Sequence, residues 1–138
     1  MANHILIASH AHLASGLQSS LQLLSGLGDN VTTIDAYVDG NDNYTDQIDA
    51  FIKGVNGDPA VIFTDLEGGS VNQKVMLAAA DHPNITVVTQ TNLAVVMTAV
   101  LSTDPLTEDN LRKLVGECQV KIVSAANAES SDTGDDDF

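Results

Sequence analysis

Ala60-Val61-Ile62-Phe63-Thr64 is an unbroken apolar, β-rich run, and Asp65-Leu66-Glu67-Gly68-Gly69-Ser70 leads from its carboxyl end into a helix-length segment. A strand without polar alternation is covered on both faces, which is the habit of parallel sheets with helices on either side. The same unit recurs along the chain. Ile5-Leu6-Ile7-Ala8 is a similar run, followed from about His12 to Leu27 by Leu13, Leu17, Leu21 and Leu24 on one helical stripe, with Gly26 and Gly28 at its stop. Val31–Tyr37 is a β-branched strand; a polar turn at Asp39–Asn43 precedes a helix from about Tyr44 to Val55, ended by Asn56-Gly57-Asp58-Pro59.

Beyond Ser70 a third helix carries Val75, Met76 and Ala78–Ala80 and ends before His82-Pro83. Ile85–Thr89 reads as a fourth strand, and Asn92–Leu101 as a helix apolar on nearly every side, suited to several neighbours or a second subunit. Thr107-Glu108-Asp109-Asn110 opens a last helix with an acidic first turn, and Leu111, Leu114, Val115, Cys118 and Ile122 give it an apolar stripe. Four β-α units and a terminal helix predict an α/β fold: a doubly wound, mostly parallel four-stranded sheet in the order 2-1-3-4, with helices on both faces. The expected domain is 1–126. From 127 to 138 five of twelve residues are acidic, and an acidic disordered tail is expected there.

The 138 residues fit one domain, and a 43% apolar share suffices for a core. Five Lys and Arg against 19 Asp and Glu leave a net charge of −14, which argues against nucleic acid and anionic membrane surfaces as partners. Cys118 is the single cysteine, so no internal disulfide can form and a reducing cytoplasm is expected. The amino terminus lacks the pattern of a signal peptide, and no stretch nears the roughly 20 apolar residues that span a bilayer. A soluble protein is expected.

In a doubly wound sheet, chemistry collects at the carboxyl ends of the strands, where the strand order reverses. Strands one and three are neighbours in the order 2-1-3-4, so His10 and Asp65, at their carboxyl ends, would lie side by side. An imidazole with one unprotonated nitrogen is a nucleophile; a carboxylate accepting the N–H of the other nitrogen fixes the tautomer and stabilises the positive ring formed on attack. Gly68-Gly69-Ser70 adds a turn whose glycines let the backbone approach an anion, with helix-start amides and a hydroxyl as donors. A phosphoryl group on His10 would be held there; a plain strand-to-helix turn with a serine cap is the structural alternative.

The stretches Ile5-Leu6-Ile7-Ala8-Ser9-His10 with Leu13-Ala14-Ser15-Gly16-Leu17, and Phe63-Thr64-Asp65-Leu66-Glu67-Gly68-Gly69-Ser70-Val71-Asn72, together resemble the IIA component of the mannose/fructose/sorbose family of the bacterial sugar phosphotransferase system. The two motifs are about 55 residues apart, as in that family, and the alternation of strands and helices covers nearly all of 1–126. Ala11 stands where a glycine is common, His12 adds a second imidazole, and Val71 replaces a frequent proline. The resemblance implies that His10 is the phosphorylated histidine and Asp65 its hydrogen-bonded partner, with Gly68, Gly69 and Ser70 in the site wall. It also implies transfer from the histidine-containing phosphocarrier protein to the IIB component, without metal or small cofactor, commonly as a homodimer. A phosphoryl-donor subunit of a dihydroxyacetone kinase, or a regulatory phosphorylation domain of the same fold, would keep the same histidine.

Other readings have weaker support. A receiver-like domain would phosphorylate Asp65, but it needs further carboxylates at the end of strand one and a lysine at a later strand end, whereas strand one ends in Ser9-His10 and no Lys stands at the end of strand four. A flavin carrier wants aromatic rings at the site, whereas this chain has no Trp and its two tyrosines are expected elsewhere. A zinc site from His10, His12 and Asp65 is conceivable in chemistry, but their spacing does not make them converge. His12 reads as a solvated surface residue, His4 as facing the opposite end of the sheet, and His82 as a helix-end residue. Asp35 reads as a strand-end residue that could border the site, and Cys118 as buried and inert.

Overall fold

The computed structural model describes residues 3–125. Strands β1 (His4–His10), β2 (Thr32–Ala36), β3 (Ala60–Thr64) and β4 (Ile85–Val88) alternate with helices α1 (Leu13–Ser25), α2 (Thr45–Val55), α3 (Ser70–Ala79), α4 (Leu93–Leu101) and α5 (Glu108–Glu117). The sheet is parallel and ordered β2-β1-β3-β4. The expected fold class and strand order are therefore found. The acidic segment expected at 127–138 lies outside the described residues.

Alternation along each strand sorts the apolar side chains into two cores. Leu6, Ala8, Ile34, Ile62 and Ile85 face α2 and α3, joining Ile48, Ile52, Val71 and Val75. Ile5, Ile7, Val61 and Phe63 face the other way, joining Leu17 and Leu21 of α1, Val95, Val96 and Ala99 of α4, and Leu111 of α5. All five side chains of β3 are buried. Burial of a large aliphatic or aromatic side chain stabilises by roughly 1.5–3 kcal/mol, so β1 and β3, buried on both faces, form the rigid centre from which the site is hung. The several neighbours expected for α4 are present, since it packs against α1 and α5.

Two expectations for the last helix need correction. The helix closes at Cys118, so Ile122 is 99% exposed instead of continuing the stripe. Cys118 itself is half-buried, with its thiol 3.5 Å from the Thr98 hydroxyl. The stripe ends there because a 3.6-residue period can run on in sequence past Glu117, where the backbone leaves the helix.

Candidate functional site

The carboxyl ends of β1 and β3 stand side by side, with Ala8 opposite Thr64. His10 ends β1, and Asp65 follows β3 directly. The Asp65 carboxylate accepts three hydrogen bonds. Oδ2 takes the His10 backbone N–H at 2.7 Å and the His10 ring nitrogen Nδ1 at 2.9 Å, and Oδ1 takes the Leu66 N–H at 2.9 Å. Burial works against the charged carboxylate, but these bonds together outweigh it and hold Asp65 below the usual value. An ionised carboxylate can only accept, so Nδ1 carries a proton, and in the neutral imidazole Nε2 is the nitrogen that keeps its lone pair. Nε2 has the Ser70 hydroxyl at 3.2 Å, and the His10 side chain is 39% exposed against 9% for Asp65. The pair is a buried anchor holding an accessible nucleophilic nitrogen.

The Gly68-Gly69-Ser70 turn lies against this imidazole, and its two glycine amides are engaged within the turn. Gly68 N–H donates to Asn72 Oδ1 at 3.1 Å, and Gly69 N–H to the Leu66 carbonyl at 3.1 Å. Gly68 has a φ of +80°, which glycine adopts without strain, and a Cβ on Gly69 would stand 3.3 Å from His10 Cε1. The glycines thus shape the turn and admit the ring. The donors left for an anion are the opening amides of α3, which have no intrahelical acceptor, and the Ser70 hydroxyl. Gly69, not Ser70, occupies the cap position, and no side chain caps the helix. Asn72 braces the turn from within α3, donating to Thr64 Oγ1 at 3.0 Å while 8% exposed.

Between His10 and α1 the chain turns through Ala11, whose φ is +53°. This left-handed conformation accounts physically for a glycine preference at that position. Ser9, buried to 1% exposure, holds the turn by accepting the Ala14 N–H at 2.8 Å. His12 points to Asp35, with Nδ1 at 3.4 Å from Oδ2, and is 74% exposed, as a solvated residue should be. Asp35 also accepts the Ser15 N–H at 3.1 Å and so ties β2 to the start of α1. His4 pairs with Asp58 at the far end of the sheet, and His82 donates its backbone N–H to Ala79 beyond α3.

The tyrosines correct the sequence reading, for both belong to this site. The Tyr37 ring stacks on His10 with centroids 5.7 Å apart and planes inclined by 30°. Its hydroxyl lies 2.9 Å from Ser70 Oγ and 3.1 Å from the hydroxyl of fully buried Tyr44. Burial pushes the Tyr44 phenol up to about 12. Lys74 Nζ sits 4.7 Å from the centre of the Tyr44 ring. Periodicity could not reveal Tyr37, because it stands in the turn after β2 with a φ of +69°.

A sequence model of the phosphotransferase system (PTS) fructose IIA component family matches residues 4–119. Among solved structures, the mannose/sorbose specific IIA subunit of the phosphotransferase system from Enterococcus faecalis superposes with a TM-score of 0.78 at 23% identity, covering 90% of this chain and 96% of that one. The PTS IIA protein associated with the fucose utilization operon of Streptococcus pneumoniae gives 0.72 at 22% identity, over 85% and 88% of the two chains. A candidate phosphoenolpyruvate-dependent sugar phosphotransferase system permease from Klebsiella pneumoniae gives 0.70 at 29% identity, over 95% and 89%. No curated protein matches the sequence.

Proposed function

The chain belongs to the IIA component family of the bacterial sugar phosphotransferase system, in its mannose/fructose/sorbose branch, and from that membership we propose that it carries a phosphoryl group on His10 Nε2. In this reading it accepts the group from the histidine-containing phosphocarrier protein and passes it to the IIB component during sugar uptake. The observation that carries the reading is the Nδ1 contact with Asp65 at 2.9 Å, which leaves the other ring nitrogen as an accessible lone pair.

Transfer demands little beyond alignment and charge neutralisation. As the Nε2 lone pair attacks phosphorus, the donor imidazole leaves with its own electron pair, and the loaded ring, still protonated at Nδ1, becomes cationic. Asp65 stabilises that charge. The opening amides of α3 and the Ser70 hydroxyl receive the phosphoryl oxygens, and the second transfer reverses these steps toward the next histidine. The residues present complete this chemistry without a metal or small cofactor. Among the described residues no helix is long and apolar enough to cross a membrane, and the proposed place of work is the cytoplasm.

The same reading includes a homodimer. Among the described residues β4 ends the sheet, and a groove of about 640 Å³ runs along it between Met76 and Ala79 of α3 and Leu111 and Val115 of α5. Beyond α5, Val120 and Ile122 are 88% and 99% exposed. An unpaired strand edge and an uncovered apolar segment are complementary surfaces for two copies. Light scattering should give a dimer mass, and Ile122→Asp should shift it to the monomer; a monomeric wild type would remove this part.

The test of the carrier role is incubation with the phosphorylated carrier protein, followed by mapping of the acid-labile, base-stable phosphate by mass spectrometry. Label is expected on His10 and absent after His10→Ala. Label on Asp65, or undiminished labelling in that variant, would defeat the proposal.

A further inference from the structure

We propose that Tyr37 is a positioning residue for phosphoryl transfer at His10: through its contacts with Tyr44 and Ser70 it fixes the Ser70 hydroxyl as a one-way donor to whatever occupies the Nε2 position. This inference rests on the carrier reading given above.

Proton counting along the four groups sets the direction. Nδ1–H is committed to Asp65, so Nε2 can only accept, and the hydroxyl within reach is Ser70 at 3.2 Å. Ser70 has one proton. Once that is given to Nε2, the 2.9 Å contact with Tyr37 requires Tyr37 to donate to the Ser70 oxygen. Tyr37 has then spent its own proton, and its 3.1 Å contact with Tyr44 requires Tyr44 to donate in turn. Donation therefore runs from Tyr44 to Tyr37, from Tyr37 to Ser70, and from Ser70 to the accepting Nε2 of His10. Tyr44 is fully buried at the origin of the chain, and burial keeps its phenol protonated up to about 12.

Phosphorylation of Nε2 removes the acceptor from Ser70, because the lone pair becomes the new N–P bond. The Ser70 oxygen remains occupied by the Tyr37 proton, so its own proton turns to a phosphoryl oxygen. A serine without Tyr37 would keep its reach but be free to rotate and to accept from water instead. The backbone at Tyr37 supports a purpose for the side chain. A bulky residue at φ +69° is costly, and the turn imposing it is locked by Tyr37 N–H to the Asn41 carbonyl at 2.7 Å and Asn41 N–H to the Val38 carbonyl at 2.9 Å. That conformation places the ring on His10 and the hydroxyl on Ser70 together.

Tyr37→Phe retains the stacked ring and removes the link. Single-turnover transfer from the phosphorylated carrier should slow by about tenfold, the value of one oriented hydrogen bond in the transition state, with the carrier concentration for half-maximal rate unchanged. In a Ser70→Ala background the same substitution should have no further effect, and the nitrogen NMR signal of His10 Nε2 should shift in Tyr37→Phe but not between the two Ser70→Ala proteins. Tyr44→Phe provides a second variant, with a smaller slowing that likewise depends on Ser70. An unchanged rate in Tyr37→Phe, or an equal loss with and without Ser70, would overturn the inference while leaving the carrier reading intact. Labelling that survives His10→Ala would instead remove the carrier reading and this inference with it.

Discussion

Asp65→Asn changes one oxygen into an NH2 group and leaves side-chain size unaltered, which makes it a clean probe of the pair at the strand ends. The carboxylate accepts two N–H groups of His10 at Oδ2 and the Leu66 N–H at Oδ1. An amide has one acceptor oxygen. Placed at the Oδ2 position it would keep His10 and confront Leu66 with a donor; the opposite placement would abandon both His10 contacts. The first arrangement is the lesser loss. A hydrogen bond to a charged group is worth roughly 1.5–3 kcal/mol, and the two retained bonds weaken when their acceptor becomes neutral. Leu66 is exposed, so its N–H can turn to water, and the net destabilisation should be about 2–3 kcal/mol at pH 7.

The pH dependence supplies a second constraint. Asp65 is held below its ordinary value in the folded chain, so the folded state binds this proton less readily than the unfolded state does. Its contribution is complete above the ordinary carboxylate value of about 3.9 and is lost as the pH falls through the lower folded value. Urea unfolding followed by circular dichroism should therefore show a wide gap between wild type and Asp65→Asn at pH 7 that narrows below about pH 4. Phosphoryl transfer should fall by about tenfold to a hundredfold, since the cationic loaded ring loses its counter-charge. Equal unfolding midpoints at pH 7, or a gap indifferent to acid, would refute the reasoning.

Ala11→Gly should stabilise the protein by about 1 kcal/mol in the same assay, by releasing a left-handed alanine at φ +53°; a loss of stability would show that the turn is not strained. Gly69→Ala meets His10 Cε1 and the Leu66 carbonyl at 3.3 Å while its φ of −68° tolerates a side chain. Transfer should slow severalfold with little change in unfolding midpoint, as kinetics and denaturation on one preparation would reveal. Ser9→Ala frees the buried Ala14 N–H that Ser9 accepts at 2.8 Å and should cost about 1–2 kcal/mol, readable as a lower midpoint at unchanged denaturant slope.

The centre of the fold was legible because β1 and β3 are covered on both faces, and such strands announce themselves as unbroken apolar runs. The adjacency of His10 and Asp65 followed from strand order, since a switch point brings together groups 55 residues apart. What escaped were features set by turns. Tyr37 reaches His10 through a left-handed backbone that no periodicity encodes, and the Gly68 and Gly69 amides are consumed by Asn72 and Leu66, partners visible only in three dimensions. Ile122 extended an apolar stripe in sequence past the point where Cys118 closes the helix.

On the carrier reading, the imidazole at the rim has a single doorway. Its second nitrogen is tied down behind it, so cargo must depart along the line by which it arrived, and giver and receiver contend for the same threshold. The two visitors can only take turns, which predicts ping-pong exchange without a three-protein assembly. Between visits the loaded chain must travel alone, and the usefulness of the carrier then depends on how long its burden withstands water.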